Sequence, residues 1–274
     1  MRRILHLFPG QGIQKVGMHA SLDSQQYLNL VKYVPGLQKC IEEGPQAILN
    51  QTEFTQPAIF ICSYIRYQQI HDAEIQYAIG HSVGEYAALT IAGHLDPQET
   101  VQLLYKRGCI MRDCSKGRQM GMLAVASNQD FTQIINKVLL KNQIIEPALY
   151  NSQNQLVYSG DKESLKLMQA ELKKQKVNSL FLEVSAAFHC SLLSQGKLEF
   201  EKELQKYVKF NPKSEIKIIR NIDATVYENR DQIIEGLRDQ LDHPVMFQQS
   251  YQKIKDLNLQ CIEYGSNILT KLLI

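Results

Sequence analysis

The stretch Gly80-His81-Ser82-Val83-Gly84 constrains what this chain can fold into more than any other part of it. Ahead of it, Ile75, Tyr77 and Ile79 alternate with smaller or polar residues, which predicts a short strand over 74–79. Behind it, the Ala-rich run from Glu85 to Ala92 predicts a helix. A serine between two glycines at a strand-to-helix junction is the G-x-S-x-G nucleophile elbow. The glycines permit close approach at a sharp turn, and the turn presents the hydroxyl outward. The amide of Val83, at the start of that helix, then faces a developing oxyanion, helped by the positive end of the helix dipole. The candidate chemistry is therefore covalent acyl transfer through Ser82.

At 274 residues the chain can bury a large core, either as one α/β domain or as a domain carrying a smaller insert. Its 30 Lys and Arg balance 28 Asp and Glu, and neither sign forms a long block, so net charge supports neither nucleic-acid nor membrane-surface binding. The six cysteines, Cys40, Cys62, Cys109, Cys114, Cys190 and Cys261, form no C-x-x-C pair and no His-partnered spacing. That pattern predicts reduced thiols, a cytoplasmic setting and no metal site. No apolar run approaches a membrane span. Arg2 and Arg3 lead at once into a strand-like Ile4 to Phe8, without the features of a signal peptide.

Taken in order, Ile4 to Phe8 ends at Pro9-Gly10-Gln11-Gly12, a strand closed by a turn whose glycines leave the Gln11 amide open as a second oxyanion donor, or simply make a tight turn. Residues 22–49 carry short helices broken at Pro35-Gly36 and Gly44-Pro45. Pro57 fits the first turn of a buried helix that continues through Ile65. Asp96-Pro97-Gln98-Glu99 is a helix start with Asp as N-cap and Pro at the first position.

From Met120 the pattern reads strand (120–126), helix (131–140), strand (147–151), strand (155–159), helix (162–173) and strand (179–184). The order β-α-β-β-α-β is the ferredoxin-like unit, and it predicts an inserted subdomain over 119–184 within a discontinuous core of 1–118 and 185–274. The later piece predicts a strand over 216–222, helices over 231–241 and 246–257, and a strand over 260–264. Strands alternating with helices on both sides of the insert predict a largely parallel sheet.

A serine hydroxyl needs a base, and His189, in a small-residue run after a predicted strand, is one candidate beside His81 and His243. Arg107 falls inside the helix begun at Asp96. Spacing alone reads it as a solvated side chain, and its functional alternative is a planar fork gripping a substrate carboxylate in two parallel hydrogen bonds.

A resemblance running the length of the chain narrows these choices. Phe8-Pro9-Gly10-Gln11-Gly12, Thr55-Gln56-Pro57-Ala58, Gly80 to Tyr86, Lys106-Arg107-Gly108 with Met111, Asn151-Ser152, Gln155 to Gly160, Phe188-His189-Cys190, Gln240-Leu241 with Pro244-Val245, and Gly265 with Leu269-Thr270 follow one another as in a known family. The chain resembles the malonyl-CoA:acyl carrier protein transacylases, the family that also supplies acyltransferases to polyketide synthases. The resemblance implies an α/β-hydrolase-like core with a ferredoxin-like insert. It implies Ser82 as nucleophile, His189 as its base, and Gln11 and Val83 as oxyanion-hole amides. It also implies that a backbone carbonyl near Gln240 orients the histidine in place of an Asp, so that Asp223, Asp242 and Glu263 need not act. Arg107, Asn151 and Phe188 would bind substrate, with Arg107 on the malonyl carboxylate.

The implied reaction is a two-step exchange through malonyl-serine, from malonyl-CoA to the phosphopantetheine thiol of an acyl carrier protein, without a bound cofactor and in a monomer. Ala186 and Ala187 before Phe188 resemble the malonyl-preferring form more than the methylmalonyl-preferring one. Departures from the family pattern are Ser191 in place of a frequent Pro, Leu149 where some relatives have Asn, and Gly265-Ser266-Asn267 in place of Gly-Pro-Gly. Two other readings stand beside it: an acyl hydrolase of the same fold clearing stalled carriers, which Arg107 argues against, and a catalytically idle structural subunit.

Overall fold

Two sheets of opposite character carry the chain. The computed structural model describes residues 3–70, 74–127 and 129–273. Its strands are β1 (Arg3–Phe8), β2 (Glu74–Gly80), β3 (Met120–Val125), β4 (Ile145–Ser152), β5 (Gln155–Asp161), β6 (Ser179–Phe181), β7 (Lys217–Ile218) and β8 (Gln260–Glu263). One sheet has the order β7-β2-β1-β8, and every neighbouring pair in it is parallel. Ile4 to Phe8 of β1 are all buried, as expected for a central strand with both faces covered. The register sets Phe8 opposite Gly80, so β1 and β2 end side by side where the turns at Pro9 and His81 begin.

Two long helices cover this sheet near the site. Thr52–Gln68 packs against Pro97–Cys114 with little room between backbones: a Cβ on Gly108 would lie 2.3 Å from Glu53 Cα. The second helix starts as predicted, with the Asp96 side chain accepting from the Gln98 and Glu99 amides at 2.9 and 3.1 Å and Pro97 at the first position.

The second sheet is antiparallel, in the order β4-β5-β3-β6, with helices Thr132–Val138 and Lys162–Lys174 supplying the expected β-α-β-β-α-β order. It has its own apolar cluster, including Leu123, Val125, Phe131, Leu165, Met168 and Leu172. A seam joins it to the rest of the chain: Tyr150 N donates to Val245 O at 2.9 Å and Val245 N to Ala148 O at 2.8 Å.

Four element readings are corrected. The helix holding Pro57 begins at Thr52, so the proline lies inside it, past the first turn, where its ring faces a turn with one backbone bond fewer. The strand predicted over 216–222 is only Lys217–Ile218, because the chain folds back: Ile219 bridges Val226, and Arg220 N donates to Thr225 O at 2.7 Å. β6 stops at Phe181, three residues early: Leu182 N still donates to Met122 O of the neighbouring β3, and Val184 N then turns back to Leu182 O at 3.0 Å. The helix predicted over 246–257 divides into Phe247–Gln252 and a short 3-10 turn, Lys255–Leu257. Among the described residues, no helix is long and apolar enough to cross a membrane.

Candidate active site

β2 ends at Gly80, the helix Gly84–Ile91 begins four residues later, and Ser82 sits between them at φ 51°. A side chain at either glycine would collide: a Cβ on Gly80 would lie 2.0 Å from Glu85 N, and one on Gly84 2.0 Å from Phe8 O. A non-glycine residue in the left-handed region costs about 1–3 kcal/mol and persists only where its surroundings hold it. Here the Ser82 amide donates to Asn221 Oδ1 at 2.7 Å, and Asn221 Nδ2 donates to Gly80 O at 2.6 Å, so one side chain clamps both sides of the turn.

His189 approaches from the loop after β6, also in the left-handed region at φ 59°. Its Nε2 lies 2.7 Å from Ser82 Oγ and its Nδ1 2.7 Å from the backbone oxygen of Gln240. A carbonyl only accepts, so Nδ1 carries the proton and the Nε2 lone pair faces the serine hydroxyl. Burial, and then the charge of Arg107, push the imidazole pKa down to about 3, so the ring is neutral at pH 7. Among the described residues no carboxylate touches it. The loop is fastened on both sides of the histidine, by Ser159 Oγ donating to Phe188 O at 2.5 Å and by the amide and hydroxyl of Ser191 donating to the Glu146 carboxylate at 2.8 and 2.7 Å.

The Gln11 and Val83 amides donate to no other group among the described residues, and Val83 is the N-cap of the elbow helix. Gln11 lines a cavity of about 160 Å³ together with His81, Leu149, Asn151, Leu182 and Leu269. Asn151 is held there by His81 Nε2, which donates to its Oδ1 at 2.9 Å, and by its own Nδ2 donating to Gln155 at 2.8 Å. Phe188 is buried as well. The His243 ring is exposed and pairs with Asp242 instead of with Ser82.

Arg107 is completely buried. Its two Nη groups donate to Gln56 Oε1 at 2.6 Å and Gln240 Oε1 at 2.8 Å, its Nε has no partner, and its guanidinium lies 5.4 Å from the centre of the Tyr86 ring. No carboxylate touches it among the described residues. Gln56 continues to Thr52 at 2.8 Å, and Thr52 to the Gln11 side chain at 3.0 Å, so the guanidinium and the Gln11 loop share one hydrogen-bonded chain.

The sequence reading missed Asn221, Tyr227 and Glu85, and knew Gln240 only for its carbonyl. The Gln240 side chain in fact bonds Arg107, Glu85, Asn221 and the Ser82 carbonyl. Asn221 and Tyr227 stand on segments remote from the elbow with no spacing to betray them. Glu85 did carry a signal, as the one charge in an otherwise small and apolar helix.

An elbow serine bonded to a neutral imidazole, on a parallel sheet flanked by helices, is the arrangement of enzymes that take an acyl group onto the serine. The acyl transferase domain family matches residues 5–264. A polyketide biosynthesis malonyl CoA-acyl carrier protein transacylase of Bacillus velezensis is 35% identical over 263 residues, covering 92% of this chain and 89% of that protein. The structure of the malonyl CoA-acyl carrier protein transacylase from Coxiella burnetii superposes with a TM-score of 0.91 at 28% identity, covering 100% of this chain and 90% of that one. A malonyl-transacylase solved in complex with a type II polyketide synthase acyl-carrier protein has a TM-score of 0.91 at 26% identity, covering 100% and 92%. The chain belongs to the acyl transferase domain family, among the malonyl CoA-acyl carrier protein transacylases.

Proposed function

We propose that this enzyme moves a malonyl group from malonyl-CoA to the phosphopantetheine thiol of an acyl carrier protein, with Ser82 and His189 as a two-residue catalytic unit. The observation that carries the substrate is Arg107: a guanidinium with no solvent exposure, an unpartnered Nε and, among the described residues, no carboxylate against it. A buried charge without a counter-ion is costly, and the free carboxylate of a malonyl group supplies the missing partner. An acetyl group supplies none.

The steps follow from the geometry. Ser82 Oγ attacks the thioester carbonyl while His189 Nε2 takes its proton, and the Gln240 carbonyl stabilises the imidazolium through Nδ1–H. The tetrahedral oxyanion receives the Gln11 and Val83 amides. Collapse breaks the carbon–sulfur bond, and the CoA thiolate leaves with the proton from His189. The carrier thiol then gives its proton to His189 and attacks the malonyl-serine, and Ser82 recovers its proton as the product thioester forms. Asn151 and Phe188 line the acyl side. In this reading residues 119–184 form a ferredoxin-like insert in an α/β-hydrolase-like core of 1–118 and 185–274, and the enzyme works as a cytoplasmic monomer without a bound cofactor. The parallel and antiparallel sheets support that division, as does the second apolar cluster, which is drawn from the antiparallel unit alone, while Met122, Ala148, Leu149 and Val157 of that unit pack into the main cluster.

The test is intact-mass measurement after mixing with malonyl-CoA or acetyl-CoA, then with a carrier protein bearing phosphopantetheine. The expected result is a malonyl adduct that is absent in Ser82→Ala and moves to the carrier. Adducts of simple acyl groups that pass to water instead would replace this reading with a hydrolase.

A further inference from the structure

Glu85 lies behind the elbow, in the first turn of the Gly84–Ile91 helix, with no solvent exposure. Its carboxylate accepts from Asn221 N at 3.0 Å, from the Tyr227 hydroxyl at 2.8 Å and from Gln240 Nε2. No Lys or Arg touches it among the described residues. Two cations reach it through their fields alone: Arg220, whose own ion pairs go to Asp223 and Glu235, and Arg107 on the far side of Gln240. A buried carboxylate satisfied only by neutral donors is an expensive group to retain, and its position explains what it does there.

Gln240 stands between partners of opposite kind. As a carboxylate Glu85 only accepts, with Ser82 O and Asn221 Oδ1 as more distant acceptors on the same side at 3.2 Å, and Arg107 only donates. The amide therefore has one orientation that suits both sides, with Nε2 toward Glu85 and Oε1 toward Arg107. We propose that Glu85 is a positioning residue for substrate selection: it dictates the direction of the Gln240 amide and thereby hands Arg107 the acceptor that aims its free N–H groups at the carboxylate of the acyl group. The inference rests on the reading of Arg107 as the carboxylate grip. It accounts for a carboxylate at position 85, where the two oxygens must take three donors. An amide there leaves at least one donor facing another: if Gln240 keeps its orientation, two NH₂ groups meet, and if it turns, its NH₂ meets Arg107.

The test compares acylation by malonyl-CoA and acetyl-CoA in wild type, Glu85→Gln, Arg107→Ala and the double variant. Glu85→Gln is expected to lower the malonyl-to-acetyl ratio about tenfold or more, whatever loss the two substrates share. In the Arg107→Ala background the same change should leave the ratio as it is, because its route is gone. Equal losses for both substrates in Glu85→Gln, or a further drop in the Arg107→Ala background, would overturn the proposal. A crystal structure of Glu85→Gln gives a readout independent of the substrate: the Arg107–Gln240 contact should open beyond about 3.5 Å, and its persistence would refute the positioning role. A wild type indifferent to the malonyl carboxylate would instead sink the functional reading while leaving this structural result to stand or fall alone. Should Glu85→Gln not fold, Gln240→Met tests the same route: it keeps the backbone oxygen that holds His189 and removes the amide through which Glu85 reaches Arg107. It is expected to lower the malonyl-to-acetyl ratio about tenfold, and a ratio equal to that of the wild type would overturn the proposal.

Discussion

Ser82 and His189 are both held at positive φ, 51° and 59°, and neither conformation is intrinsic to its residue type. Asn221 clamps the first through two bonds that no pattern in the sequence announces. Asn221→Ala should slow acylation about tenfold to a hundredfold with little change in KM, because it loosens the nucleophile and leaves substrate contacts alone. Single-turnover rates with malonyl-CoA check this, and an unchanged rate would mean that the glycines suffice. Arg107→Ala should lower kcat/KM for malonyl-CoA about a hundredfold more than for acetyl-CoA. Equal losses would remove the carboxylate role. At this scale the sequence was legible where chemistry requires a rare local pattern, as at the G-x-S-x-G turn. It was illegible where a common polar residue works only through a distant partner. His189 and Arg107 stand between these cases: spacing left each ambiguous, and only the family resemblance singled them out.

Among elements, Thr52–Gln68 and Pro97–Cys114 meet backbone to backbone at Gly108. This crossing sets Gln56 against Arg107, so a shift of either helix moves the guanidinium. Gly108→Ala forces a Cβ to within 2.3 Å of backbone, where no flexible side chain can yield. The variant should lose about 1–3 kcal/mol or more of stability and show a lowered malonyl preference, read by urea denaturation and by the two CoA substrates. Helix and strand periodicity carried most of the elements, including the N-cap at Asp96. The misplaced ends have separate causes. After β7 the chain folds back between Arg220 and Thr225, after β6 Val184 N turns to Leu182 O, and at residue 246 the backbone N–H goes to the remote Asn221 O, a long-range bond with no local signature.

For the whole molecule, pH sensitivity follows from its buried titratable groups. Burial pushes His6 down to about 4 and His189 to about 3, and lowers His81 and His94 as well. In the unfolded chain these histidines take protons near pH 6.5, and in the folded chain they do not. Their contribution to stability is present above about 6.5 and is lost as pH falls toward the folded values. Glu85 has the opposite sign: burial raises it to about 7, so its contribution is present at low pH and is lost as pH rises through about 7. The histidines outnumber it, so the urea midpoint should fall between pH 7 and pH 5, with a slope of at most about 1.4 kcal/mol per pH unit for each histidine left uncompensated. A rise in that interval would contradict the burial of these rings. Glu85→Gln removes the opposing group and should steepen the fall.

The fastening of the His189 loop has a consequence for protein engineering. Ser159 and Glu146, which hold Phe188 and Ser191, belong to the antiparallel sheet, and Val245 is stitched into that same sheet by Tyr150 and Ala148. The antiparallel unit is thus the scaffold on which the base is mounted, while the nucleophile rides on the parallel one. It is not an exchangeable cassette: a chimera that imports it from a relative must keep a hydroxyl at 159 and a carboxylate at 146, or the imidazole loses its mounting while every residue of the dyad is still present.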